Sequence, residues 1–177
     1  MNEITFEMIK TGDSEKIIDE VMEEYGQEIL QLVYSYVKNK VVAEDLTQEI
    51  FIKCYKSLHT YKQKSKFRTW LWRIAINHCK DYLKSWYSKN VFLAKEEAVM
   101  MGSSKEALEE SIIQKDEDSE LAAAVMELPV NYREVIFLYY FEELPIREIS
   151  LTLGKNENTV KTRLKRAKEL LKERLEG

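Results

Sequence analysis

The chain contains almost nothing that would break a helix. Two prolines and five glycines are spread over 177 residues. Strand-like alternation is absent, and apolar positions return with the period of about 3.6 residues that marks an α-helix. The sequence therefore predicts an all-α fold without a sheet. From Tyr87 to Ser119 the periodicity fades into SKN, MGSSKEALEES and QKDEDSE, a polar, acidic composition typical of a flexible linker. The expected organisation is two small helical domains, over residues 1–90 and 120–177, joined by an acidic linker over 91–119. Each domain lies near the lower size limit for an independent core.

The net charge of -4 hides a strong segregation along the chain. Residues 1–52 hold 4 Lys and Arg against 12 Asp and Glu, whereas residues 53–89 hold 10 against the single Asp81. Residues 90–120 then hold 3 against 9, and residues 145–177 hold 9 against 5. Two basic blocks thus alternate with acidic ones. Clustered cations can neutralise phosphates despite a negative total, because charges farther apart than a Debye length of roughly 8 Å are screened from one another. No apolar run approaches the roughly 20 residues that span a bilayer. The opening MNEITFEMIK lacks the basic and apolar regions of a secretory signal. A cytoplasmic location without membrane insertion is expected. Cys54 and Cys79 fall inside apolar helical patterns and read as reduced core residues rather than a disulfide.

The C-terminal basic block has the punctuation of a helix-turn-helix. Pro145 can open a helix, IREISLTL continues it, and Gly154 supplies the left-handed residue that ends it. Asn156 then caps a second helix. Val160, Leu164, Ala167 and Leu171 form one apolar stripe along that helix. At about 100° per residue, Asn158, Lys161, Thr162, Lys165 and Arg166 gather on the opposite side. Lys and Arg donate to guanine edges, while Asn and Thr serve other edges or phosphates, so this face suits the major groove of a duplex. Thr159 and Arg163 complete the candidate duplex contacts. A solvated basic helix is the bland alternative, and the short helix, glycine turn and capped helix in succession speak against it.

The central basic block, YKQKSK followed by FRTWLWRIAINHCKDYLKSW, has two dissimilar faces. Phe67, Leu71, Ile74, Ala75, His78 and Tyr82 share one. Lys66, Trp70, Arg73, Asn77, Lys80 and Lys84 project from the other. An aromatic ring among cations can stack on an unpaired base while the cations follow the backbone, which suits opened strands better than closed duplex. The competing reading makes Trp70 and Trp72 core residues and the lysines mere solvation. In the preceding AEDLTQEIFIKCYKSL, the buried face is Leu46, Ile50, Phe51, Cys54 and Leu58. Asp45, Gln48, Glu49, Ile52 and Lys56 form an outward, mainly acidic face containing an exposed Ile. That combination has the character of a docking surface.

These segments, in this order, resemble a bacterial sigma factor of the extracytoplasmic-function group. AEDLTQEIFIKCYKSL is similar to that family's core-polymerase-binding helix and FRTWLWRIAINHCKDYL to its promoter-melting segment. The stretch from LPVNYREVIF to RAKELL is similar to its C-terminal domain. The resemblance implies a non-enzymatic transcription initiation factor that binds core RNA polymerase and promoter DNA without a cofactor or metal. Asp45, Gln48, Glu49 and Ile52 would grip the clamp helices of the largest polymerase subunit. Asn77 would help capture a flipped base of the minus-10 element beside loop residues 61–66. Lys161, Thr162, Lys165 and Arg166 would contact the minus-35 element. The resemblance also implies an anti-sigma partner, commonly membrane-tethered, and a linker threaded through the polymerase. The family often carries an arginine pair after the melting helix, where this chain reads LKSWYSKN.

Two other readings make different predictions. A dimeric repressor would share the helix-turn-helix and bind a symmetric operator alone. A metal or thiol site would draw on Cys54 with His59, or on His78 with Cys79. Neither pair has typical zinc spacing.

Overall fold

The computed structural model describes residues 6–93 and 117–177. Helix α1, Phe6–Thr11, leads into the long α2, Ser14–Val37, whose first turn is capped by the Asp13 carboxylate accepting from the Glu15 amide at 3.1 Å. Ile17, Val21, Tyr25, Ile29, Leu32, Val33 and Tyr36 recur at helical spacing and are buried. Lys38 then takes a left-handed conformation, φ 57°, and Asn39 caps α3, Lys40–Ser57, by accepting from the Val42 amide at 3.1 Å. So short a joint folds α3 back against α2. After the 3-10 turn Leu58–Thr60, α4 (Phe67–Leu93) packs on both.

The C-terminal half begins with α5, Glu117–Met126, and α6, Val130–Ile136. The latter runs directly into a π-helical turn, Phe137–Phe141. Helices α7, Ile146–Leu153, and α8, Glu157–Glu176, follow. No strand occurs among the described residues, in keeping with the all-α expectation. Val135, Leu138, Ile149, Val160 and Ala167 are fully or almost fully buried between these elements. Each large apolar side chain placed so contributes about 1.5–3 kcal/mol.

The two halves do not stand apart. One contiguous apolar cluster includes buried residues of both, and α4 packs on α7 while α2 meets α6. Most of the expected linker lies outside the described residues. Helix α4 extends past residue 90 to Leu93, and α5 starts at Glu117, so helical structure reaches into both ends of the stretch assigned to the linker.

Candidate nucleic-acid interface

Local chemistry fixes the turn between α7 and α8. Gly154 adopts φ +65° and ψ 32°, its amide bonding back to the Ser150 carbonyl. That conformation is strained for residues with a Cβ. Asn156 accepts from the Thr159 amide at 2.7 Å and so caps α8. With Val160, Leu164, Ala167 and Leu171 buried, the helix is held at a fixed rotation. Asn158, Lys161, Thr162, Lys165 and Arg166 are all exposed on its outer side. Thr159 and Arg163 lie on the flank and are half-buried. Arg166 ion-pairs along the helix with Glu169 at 3.2 Å and Glu173 at 3.7 Å. Arg163 points inward instead, 3.8 Å from Glu134 of α6. Lys168 lies 5.6 Å from the Tyr140 ring centroid; its hydrogen bond to Tyr140 and the charge of that phenol raise its pKa.

Along α4, Arg73, Asn77 and Lys84 are exposed and Lys80 is half-exposed. Trp70 does not stand free among them. It is half-buried, 5.3 Å from the Tyr61 ring and 5.4 Å from the Phe67 ring, as the outer member of an aromatic cluster beside loop residues 61–66. The inner side of α4 is wider than its sequence pattern predicts. Besides Phe67, Leu71 and Ala75, it buries Trp72, Ile76 and Cys79. Trp72 is held edge-on to Tyr25 at 5.6 Å, and the Arg68 guanidinium lies 4.7 Å from its ring centroid.

On α3, Asp45, Gln48, Glu49 and Ile52 are exposed, Ile52 to 54 %, while Leu46, Ile50, Phe51 and Cys54 are buried. Glu49 lies 2.7 Å from His78 Nε2, which ties the outward face of α3 to α4 directly beside Asn77. Cys54 and Cys79 are free thiols, and burial pushes the pKa of each up to about 12.

The charges that sequence reasoning missed lie where the halves meet. Glu134, its side chain 1 % exposed, accepts from the Tyr36 hydroxyl at 2.5 Å and pairs with Lys80 at 3.1 Å. Arg133 beside it donates to the carbonyls of Met126, Leu128 and Tyr36 at 2.9, 3.1 and 3.3 Å. Arg68 joins Glu28 at 3.3 Å to Glu142, and Lys66 reaches Glu148 at 3.5 Å. One signal for Glu134 was available: Arg133 and Glu134 interrupt the apolar run LPVNYREVIFLYYF, and buried charges require partners.

Residues 21–87 match the family described as Sigma-70 region 2, and residues 118–171 match Sigma-70, region 4. The chain is 33 % identical over 174 residues to the ECF RNA polymerase sigma factor SigW of Bacillus subtilis, spanning 94 % of this chain and 92 % of that protein. It is 35 % identical over 156 residues to SigM of the same organism, spanning 88 % and 93 %. Its fold is similar to that of CnrH, solved in complex with the cytosolic domain of CnrY, with TM-score 0.67, 19 % identity and coverage of 96 % and 94 %. It is also similar to that of the sigma factor RpoE of Bartonella quintana, solved with the anti-sigma factor NepR, with TM-score 0.65, 18 % identity and coverage of 91 % and 98 %.

Proposed function

This chain belongs to the extracytoplasmic-function group of the sigma-70 family, RNA polymerase sigma factors for transcription initiation, and from that membership we propose that it directs core polymerase to promoters by reading both a minus-35 and a minus-10 element. The observation that carries the reading is the outward face of α8. Asn158, Lys161, Thr162, Lys165 and Arg166 are presented together, directly after a glycine turn, by a helix whose opposite stripe is locked in the core. A helix so presented enters the major groove with its side chains directed at base edges. Thr159 contributes from its flank, whereas Arg163, expected there as well, is turned inward toward Glu134.

The minus-10 element falls to α4. Arg73, Lys80 and Lys84, with Lys66 before them, follow the backbone of the opened strand, and Asn77 reads an extruded base. Extrusion costs a few kcal/mol, which these contacts offset. Trp70 acts as the wall against which that base packs. Asp45, Gln48, Glu49 and Ile52 of α3 form the polymerase contact, on the clamp helices of its largest subunit, with Ile52 as the apolar centre of a polar patch. Phosphodiester synthesis belongs to the polymerase; this chain supplies no catalytic group, cofactor or metal. Residues 1–90 and 120–177 work as separate domains at the two elements, with 91–119 between them. An anti-sigma protein is the natural regulator, as the RpoE–NepR pairing of a structural neighbour suggests. It would hold the chain in the cytoplasm, at the membrane surface where the regulator is anchored.

Run-off transcription with purified core polymerase over a genomic promoter library tests the reading. Transcripts that start only when the chain is added support it, and footprints should require both proteins. Tight binding of the chain alone to a symmetric site, without stimulated transcription, would establish the repressor instead.

A further inference from the structure

Helix α4 outruns the core on which it packs. Among the described residues Cys79 is its last buried side chain, Tyr82 and Leu83 still touch the core from its margin, and from Lys84 to Lys89 every residue is exposed. Two of these carry large rings, Trp86 at 42 % and Tyr87 at 67 % exposure, with centroids 6.2 Å apart and planes at 66°. One exposed ring is ordinary, but two adjacent rings that add nothing to the core mark a contact surface. Their place on the helix supplies its use. Arg73, Asn77, Lys80, Lys84 and Tyr87 follow one another at intervals of 4, 3, 4 and 3 residues, the spacing that keeps side chains on one face. Tyr87 is therefore the next member of the row assigned above to the opened strand, and Trp86 stands against its flank.

We propose that Tyr87, buttressed by Trp86, stacks on the last closed base pair at the minus-35 side of the opened segment and so holds that junction. This rests on the readings of α4 and α8 at the minus-10 and minus-35 elements. Direction follows from the chain, which leaves α4 at its C-terminal end on the way to the half that reads minus-35. Tyr87 accordingly lies on the minus-35 side of Asn77. Distance follows from helix geometry. The 10 residues from Asn77 to Tyr87, at about 1.5 Å each, span about 15 Å, or about four to five nucleotides at roughly 3.4 Å. A base pair whose neighbour has melted presents a bare π-face, which a phenol ring can cover whatever the base. Lysine at this position would grip the backbone of closed and opened DNA alike. A ring favours only the form in which a base face is uncovered, and an equilibrium shifts only through such a difference.

The test uses the full chain with core polymerase on the strongest promoter recovered from the run-off library. Templates are premelted over the minus-10 element, the minus-35 edge of the bubble being moved one nucleotide at a time, and the lifetime of each complex is measured under heparin challenge. The extruded base is located as the one whose replacement by an abasic site makes Asn77→Ala and the parent equal. For the parent, lifetime should peak when the edge lies about four to five nucleotides from that base. Tyr87→Ala should abolish the peak, shortening that lifetime about tenfold, while Tyr87→Phe retains it and Trp86→Ala lowers it in part. Both rings are exposed, so the variants should melt as the parent does. Equal lifetimes for Tyr87→Ala and the parent at every edge would overturn the stacking. A loss that is uniform over all edges, or that Tyr87→Phe shares, would overturn it in favour of a backbone or hydroxyl contact. Weaker binding of Tyr87→Ala to core polymerase without DNA would overturn it by giving the rings to the polymerase. If no base makes Asn77→Ala and the parent equal, or no promoter is recovered, the assignment of α4 fails first and the proposal falls with it.

Discussion

The Tyr36 hydroxyl donates to Glu134 Oε2 at 2.5 Å, joining the end of α2 to the middle of α6 across 98 positions of sequence. Burial, and then the neighbouring Glu134 charge, raise the Tyr36 pKa well above its ordinary value, so the phenol stays a donor throughout the physiological range. Tyr36→Phe keeps the ring in the core and removes one bond to a charged acceptor. A loss of about 1.5–3 kcal/mol is expected, against roughly 3–5 kcal/mol for Glu134→Ala, which leaves buried or half-buried cations without their carboxylate. Thermal denaturation followed by circular dichroism measures both. Equal losses would mean that Glu134 acts only through Tyr36.

Cys54 and Cys79 should be inert in the folded chain. With each pKa near 12, almost no thiolate exists at about pH 8, and both sulfurs are shielded from reagent. Ellman's reagent should find no reactive thiol in native protein and both thiols in guanidinium chloride. Rapid native labelling would show that the α3–α4 core opens far more often than its packing implies.

Burial raises the Glu142 pKa, and the adjacent Arg68 only partly offsets this. The folded state therefore binds this proton more tightly than the unfolded state does. Its contribution to stability is present below the ordinary glutamate value and is lost as pH rises through the raised one. Glu142→Gln has no such loss. Its stability relative to the parent should improve as pH rises above the ordinary glutamate range, read from melting temperatures across that rise. A difference that moves the other way would mean that Arg68 outweighs burial.

At Gly154 a Cβ would meet nothing within 4 Å, so the cost of Gly154→Ala is purely the left-handed backbone at φ +65°. A loss of about 1 kcal/mol is expected, and Asn156→Ala should cost about 0.5–2 kcal/mol by removing the cap of α8. Chemical denaturation midpoints give both values. Gly154→Asn, which tolerates the same backbone better, should recover part of the first loss.

The helix-turn-helix was the most legible part of the chain, because its signals are local. Gly154 and Asn156 act within a turn of where they sit, and one stripe decides the rotation of α8. Pro145 stands just before the helix it introduces, at the cap position. The outward face of α3 was equally readable, since Leu46, Ile50 and Cys54 fix its opposite side. Helix α4 was readable on one side only. Phe67, Leu71 and Ala75 follow a simple period, but Trp72, Ile76 and Cys79 are buried as well, and Trp72 is enclosed by Tyr25 of α2 and the guanidinium of Arg68. A single helical pattern cannot announce that two of its faces are covered. Trp70, expected to project among cations, packs on Tyr61 and Phe67 instead, because the loop before α4 turns its aromatic side chain inward. The π-helical turn at Phe137–Phe141 has no period of its own, and the partners of Glu134 lie too far away in sequence to be inferred.

The distance between Tyr36 and Glu134 also sets a clock on the ribosome. Glu134 lies 98 positions after Tyr36, a stretch that takes roughly 5–20 s to synthesise at about 5–20 residues per second. Through that interval Tyr36 and Lys80 are extruded before the carboxylate that will engage them both. Every newly made chain thus passes through a nascent stage in which α4 is complete and its lysines face the cytosol, and the final third of translation ends it.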